Sequence, residues 1–436
     1  MLLALAACAA ARLNLRPLRP GEAPPPPARA GVSFAEAAES LDFPAEAPDG
    51  WSDGQARLAG AVRLALDGRH DEAAAALQPL GETADDADLR KQSWDSLGEI
   101  LFAANRWDDF LRHRAAFSAA LADDLPLAEA WRGLPPETLT LREAEPLPLA
   151  WSASGVPMVD VTVNGRRRRF WLDTGAGRTV LSSAAAAACG VSPLGPATTA
   201  DTAAATTVPV RPAVIDRLEA GPLVLEHHPA LVIQQEHLEF RPGPSARPVR
   251  IDGLLGWSAL RRLAVVLDGP GRRLRLRRPA EPAAGERNLF WLGLPLVRAA
   301  APDGRRLLLH LDSGAGRTSL TARGLERLGA DRSRPAQSAL FVAGGVQRVE
   351  TRNVDGAAFT LAGWRLEFPR LRAYADRTHL FYSLDGTLGS DVIRQAVVTI
   401  DATGGRFTLG NEALTGDRTP VTGGGVSEVS TRGDDR

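Results

Sequence analysis

One ten-residue phrase occurs twice. Asp173-Thr174-Gly175-Ala176-Gly177-Arg178-Thr179-Val180-Leu181-Ser182 and Asp312-Ser313-Gly314-Ala315-Gly316-Arg317-Thr318-Ser319-Leu320-Thr321 agree at seven of ten positions. Asn164-Gly165 and Asp303-Gly304 stand shortly before the two copies. Both dipeptides predict two-residue hairpin turns, whose central residues need positive φ. Downstream, Ile251-Asp252-Gly253-Leu254-Leu255-Gly256 matches Leu384-Asp385-Gly386-Thr387-Leu388-Gly389 at an offset of 133 residues. A short helix-like stretch and a strand follow each match, Ala264–Asp268 and Val397–Asp401. Turn, acid and glycine segment recur in one order, which makes a duplicated domain of roughly 120 to 140 residues. The chain must therefore fold as two similar units, each ending a strand in one carboxylate at a Gly-rich bend.

Two carboxylates brought face to face suit the splitting of a peptide bond by water. The reaction needs water deprotonated and the carbonyl oxygen protonated in one setting. Like charges a few ångströms apart resist double ionisation, so the pair holds one proton over a wide pH range. Such a pair titrates as a unit, and neither Asp173 nor Asp312 is assigned a separate role.

The pattern resembles the retropepsin-like aspartic proteases, with two lobes fused in one chain as in pepsin; the resemblance spans about Leu147 to Gly410. It implies a mainly β fold of two acid-protease β-barrel lobes, and Asp173 and Asp312 as the catalytic pair. Thr174, Gly175, Ala176 and Ser313, Gly314, Ala315 would form the active-site loops. Leu254-Leu255-Gly256 and Leu388-Gly389 would cross beneath and support them, with Thr387 departing from the usual apolar residue. By the same resemblance, the Thr174 and Ser313 hydroxyls bond to the opposite lobe's backbone and lock the loops together. The reading is an aspartic endopeptidase acting on a peptide or protein. Two rivals stay open: a noncatalytic peptide-binding pseudoprotease, and a homodimer whose dyads form between chains.

The family also carries a hairpin flap over the substrate. Phe341 to Val346, with Gly344-Gly345 at its tip, is the candidate in the second lobe, and Thr198 to Val210 in the first. Neither holds a tyrosine. Arg178 and Arg317, five residues after each aspartate, are read as substrate-cleft candidates favouring acidic or polar side chains. The competing reading is a solvated or lobe-bridging arginine.

The rest of the chain sets the context. Its 436 residues carry a formal net charge of −1, which gives no electrostatic case for nucleic acid. Met1 to Cys8 is short and apolar, and Leu5-Ala6-Ala7-Cys8 resembles a bacterial lipobox, with Cys8 the acylated residue. That implies a lipid anchor, in the outer membrane facing the periplasm, as the membrane contact. Residues 1–8 are thus read as a signal segment and 9–50 as a Pro-rich linker, extended and unstructured from Pro17 to Pro27. Residues 51–133 are read as a small helical module, with helices at Gln55–Leu66, Asp71–Leu80, Leu89–Ala104 and Trp107–Leu121. It resembles tetratricopeptide hairpins, and its expected role is to pack on the lobes, dock a protein partner or serve as a prosegment. The lobes are placed at 137–280 and 286–412, and a disordered tail at 413–436. No cofactor and no metal is expected. His227, His228 and His237 carry no metal-ligand spacing, since adjacent histidines on a strand point to opposite faces. Cys189 is expected as a buried small apolar residue, and His310 as core or interface packing.

Overall fold

In the computed structural model of the chain, the first expected turn forms as read. Asn164 and Gly165 take φ of 47° and 77°, and Val163 pairs directly with Arg166 across them. The second differs. Gly304 alone has positive φ, Ala301 N–H bonds to the Arg305 carbonyl, and the loop is three residues long. Pro302 supplies a turn-compatible φ there, and a three-residue hairpin needs only one left-handed residue, usually Gly. The structure describes residues 13–25, 32–202, 206–240, 248–281, 287–330, 333–342 and 345–411. Cys8, Gly344 and the tail from 412 lie outside them.

The strand Pro157–Val163 alternates buried and half-buried residues, as a sheet with one covered face requires. Its partner Arg166–Leu172 starts among exposed arginines and ends in buried Phe170, Trp171 and Leu172, so it runs from the surface into the interior. Arg167 and Arg169 pair with Asp160 across this hairpin.

Two sheets of nine strands result, each an ordered row of eight plus one short strand off the row (Ala150–Trp151 on Pro157–Val163, Leu289–Leu292 on Leu294–Ala300), and the rows match position by position. The first runs Thr138–Leu141, Leu223–Ile233, Thr179–Ser182, Gly253–Leu255, Arg166–Leu172, Pro157–Val163, Thr207–Ala220, Thr198–Asp201. The second runs Asn14–Pro17, Trp364–Tyr374, Ser319–Thr321, Gly386–Leu388, Arg306–Leu311, Leu294–Ala300, Gly345–Leu361, Ser333–Val342. A five-stranded sheet joins the two halves, with Ala264–Asp268 paired antiparallel to Val397–Asp401 at its centre. The fold is mainly β, as expected, with helices ahead of it.

The segment expected as a free tether is partly built into the fold. Asn14–Pro17 is an edge strand on Trp364–Glu367, where a strand bonds on one side only and tolerates Pro17. Helix α1, Phe34–Ser40, follows, and its flank docks on the second half through Arg306 to Asp42.

The helical region comprises α2 (Asp53–Leu66), α3 (His70–Thr83), α4 (Ala87–Ala103), α5 (Trp107–Arg112) and α6 (Asp124–Trp131). Ser52 and Gln55 form a capping box on α2, and Asp86 caps α4. The fourth expected helix stops at Arg112, and α6 was not anticipated. The helices do not keep a core of their own. Leu97, Phe102, Phe110 and Trp131 belong to one apolar cluster with Val208 and Val210 of the first half and Phe290, Leu292 and Tyr382 of the second.

Candidate active site

Each aspartate is delivered by a buried strand and held from below. Phe170–Leu172 lies parallel to Gly253–Leu255, and Asp173 N–H bonds to the Leu255 carbonyl at 3.0 Å. Leu309–Leu311 lies parallel to Gly386–Leu388, and Asp312 N–H bonds to the Leu388 carbonyl at 3.0 Å. Just past Gly256 and Gly389, Trp257 N–H and Ser390 N–H bond to the carbonyls of Ala176 and Ala315. Leu255 and Leu388 are fully buried, while Leu254 is half-buried. The support segments thus fix the backbone on both sides of each bend.

The two bends lock together through their middle residues. Thr174 Oγ1 donates to the Leu311 carbonyl at 2.7 Å and accepts from Ser313 N–H at 3.0 Å. Ser313 Oγ donates to the Leu172 carbonyl at 2.7 Å and accepts from Thr174 N–H at 3.0 Å. Both side chains are fully buried. The glycines that follow sit against the opposite carboxylates. A Cβ on Gly175 would stand within 2.8 Å of both Asp312 carboxyl oxygens, and one on Gly314 would collide with the Asp173 carboxyl. Only glycine leaves the two acids this close.

The two carboxyls face one another across the bends, each pressed against the glycine that follows the other, and they titrate as one pair. Burial first, and then the Asp312 charge, push Asp173 up to about 8. Burial also raises Asp312, against the pull of Ala315 N–H and the Arg377 guanidinium. Asp173 Oδ1 accepts from Gly175 and Ala176 N–H at 3.0 and 3.1 Å, and Asp312 Oδ1 from Ala315 N–H at 2.9 Å. Each acid keeps partial solvent exposure, so the pair opens to the outside. A partly desolvated, singly protonated carboxyl pair has both a base and an acid to offer one substrate.

The two flap candidates are both hairpins. Thr198–Asp201 with Thr207–Ala220 makes one; Ser333–Val342 with Gly345–Leu361 makes the other. They meet where Gln347 Nε2 donates to Thr206 Oγ1 at 2.9 Å. Gly345 lies at the second turn with φ 117°.

The two arginines diverge. Arg317 is exposed. Arg178 does not line an open cleft: it is 8% exposed and buried under the helices. Its guanidinium lies 4.4, 5.1 and 5.3 Å from the ring centres of Phe102, Trp107 and Trp131. It donates to Asn105 Oδ1 at 2.8 Å and to the Phe102 carbonyl at 2.7 Å. The reason is the C-terminus of α4, whose last carbonyls lack intrahelical donors and favour a cation. Arg261 serves the next one, Ala103 O. Burial lowers Arg178 to about 10, against the nearby Asp124, Glu137 and Glu99 charges, and leaves it a cation at neutral pH.

Several residues at the site carried no sequence signal. Arg377 acts electrostatically on Asp312 from a strand outside the repeated blocks. Asp252 and Asp385 accept backbone N–H bonds from Arg169 and Leu308 and so pin the strands that end in the aspartates. The recurrent Asp-Gly pair was the available clue. His228 is buried between Glu137 and Thr179, bonding to Thr179 Oγ1 at 2.8 Å. His310 is buried two residues before Asp312, and burial lowers it to about 3.

No curated protein matches the chain. Residues 159–259, which hold the first Asp-Thr-Gly bend and its supporting Leu-Leu-Gly segment, match the family model of aspartyl proteases. Over that span the chain is similar to the aspartyl proteases, on the same residues that build one side of the paired-carboxyl site.

Proposed function

We propose that the chain is an aspartic endopeptidase, hydrolysing peptide bonds at the interface of two lobes with a water activated by Asp173 and Asp312. The observation that carries this reading is the facing pair of carboxyls, raised by burial and open to solvent. The ionised member takes a proton from water as the oxygen attacks the scissile carbonyl carbon. The protonated member gives its proton to the carbonyl oxygen. The tetrahedral intermediate then collapses, the C–N bond breaks, and the nitrogen leaves with a proton returned through the pair. The pair ends with one proton, as it began. The two hairpins offer strand edges to an extended substrate. Pairing within one chain, through the grip of Thr174 and Ser313, favours this over a dyad shared between chains.

The test is cleavage of a mixed peptide library, its sensitivity to pepstatin, and its loss in Asp173→Asn and Asp312→Asn. Each variant should lose at least about 10²-fold in turnover, because one carboxyl cannot supply both proton transfers. A folded variant that keeps more than about a tenth of the activity refutes the assignment. For location, we propose acylation at Cys8, from the Leu-Ala-Ala-Cys run. A Cys8→Ser protein that still fractionates with membranes refutes it.

A further inference from the structure

The two bends are related by a pseudo-twofold axis, so a cleft over them has two ends of like construction. On the peptidase reading, an extended peptide lying across both carboxyls runs toward the Arg178 bend in one direction and the Arg317 bend in the other. The helical region stands at one end only. There the end of α4 and the start of α5 cover Arg178 with Phe102, Asn105 and Trp107, and Trp131 of α6 closes behind them. The same helices reach the hairpin of the first half: Asp123 accepts from Thr199 Oγ1 at 2.7 Å, and Trp131 Nε1 donates to the Ala213 carbonyl at 3.0 Å. They also reach the opposite half, where Glu99 lies 3.1 Å from His379. The Arg178 bend, the hairpin and the second half are thus bridged by one body of protein. At the other end Arg317 is exposed and makes no hydrogen bond or ion pair among the described residues.

We propose that the helical region is a fixed end wall, closing the cleft on the Arg178 side and leaving it open on the Arg317 side. The substrate is then a polypeptide end: one side of the scissile bond holds only a few residues, and the other side is unrestricted. The wall is fixed rather than a removable plug, because its side chains complete an apolar core with both halves and bury a cation between them. Pulling it away would expose Phe102, Trp131, Val210 and Leu292 together and strand Arg178 without partners.

This inference rests on the peptidase reading of the paired carboxyls and narrows it from internal bonds to bonds near a chain end; its test separates the two. The full-length protein is given a peptide cleaved in the library, then the same peptide lengthened one residue at a time on either side. Extension on one side should be tolerated. Beyond about three or four added residues, extension on the other should lower kcat/KM by about tenfold or more, since each residue of strand needs about 3.3 Å. Trp107→Ala, at the half-exposed rim of the wall, should relax that penalty on the blocked side alone. Equal tolerance on both sides overturns the wall and leaves the activity standing. A penalty unchanged by a folded Trp107→Ala protein assigns the block to another element and also overturns it. No cleavage of any peptide at any length removes the activity and the wall together.

Discussion

The hydroxyl grip gives the sharpest energetic prediction. Thr174→Val keeps the side-chain volume and removes one hydroxyl. Two buried backbone groups then lose their partner, Ser313 N–H and the Leu311 carbonyl. A buried polar group left unmatched costs about 1–3 kcal/mol, so the variant should lose about 2–5 kcal/mol. Ser313→Ala should cost a similar amount, because it orphans Thr174 N–H and the Leu172 carbonyl. The four bonds meet in pairs at the two hydroxyl oxygens and form one network, so the double variant need not equal the sum. Calorimetry should show Thr174→Val melting about 2–5 °C below wild type, since a chain of 436 residues shifts by about 1 °C per kcal/mol. Turnover should fall further than the loss of folded protein explains, because displaced carboxyls lose alignment at a cost of up to about 10²-fold. Thr174→Ser keeps the hydroxyl and should be close to neutral, as Ser313 already fills this role in the other half. If Thr174→Val melts within about 1 °C of wild type, the grip is not what holds the two bends together.

The acid pair makes a pH prediction. Asp173 is raised from 3.8 to about 8, so the folded protein keeps a proton that the unfolded chain has released. Stability is therefore greatest below the unfolded value and is lost as pH rises through the folded one. His70 and His310, lowered by burial, act in the opposite sense but only below their unfolded value of 6.5. The melting temperature should thus fall between about pH 6.5 and 8, and Asp173→Asn should flatten that slope; a slope unchanged by the substitution contradicts it. Turnover should decline over the same range, as the shared proton is lost. Arg178→Lys keeps the charge but cannot reach Asn105 and the Phe102 carbonyl while stacking on three rings, so it should cost about 1–3 kcal/mol in thermal unfolding. Hydrogen exchange should quicken at the end of α4, and an unchanged melt would show that this contact is dispensable. Gly175→Ala places a methyl within 2.8 Å of both Asp312 oxygens, so it should abolish turnover while a residual fold remains visible by circular dichroism; near-normal turnover would mean the bends are further apart than described.

What could be read from the chain alone follows the duplication. The bends, their supporting glycine segments and the grip are local phrases that recur, and recurrence in one order is hard to mistake. The backbone carbonyl that accepts from each hydroxyl lies 137 or 141 residues away, yet symmetry places it in advance. The features that depart from the reading are those where the two copies diverge or an unduplicated segment meets them. Asp303-Gly304 reads as the twin of Asn164-Gly165, but Pro302 and a three-residue loop take the place of the tight turn. The leading segment was read by its prolines as a tether, although an edge strand asks for only one row of bonds and accepted four of its residues. Arg178 and Arg317 are indistinguishable in the repeat, and nothing near either marks one for burial. The difference comes from the C-terminal end of α4, where the Phe102 carbonyl, 76 residues upstream of Arg178, accepts from it and no equivalent helix end reaches Arg317 among the described residues. Duplication thus supplies a symmetric pair of acids, and the unduplicated helices supply the asymmetry. A symmetric cleft must treat the two sides of a scissile bond alike. Any preference for the amino or carboxyl side of a substrate therefore has to originate in features such as α4 to α6 and Arg377, which the duplication does not repeat.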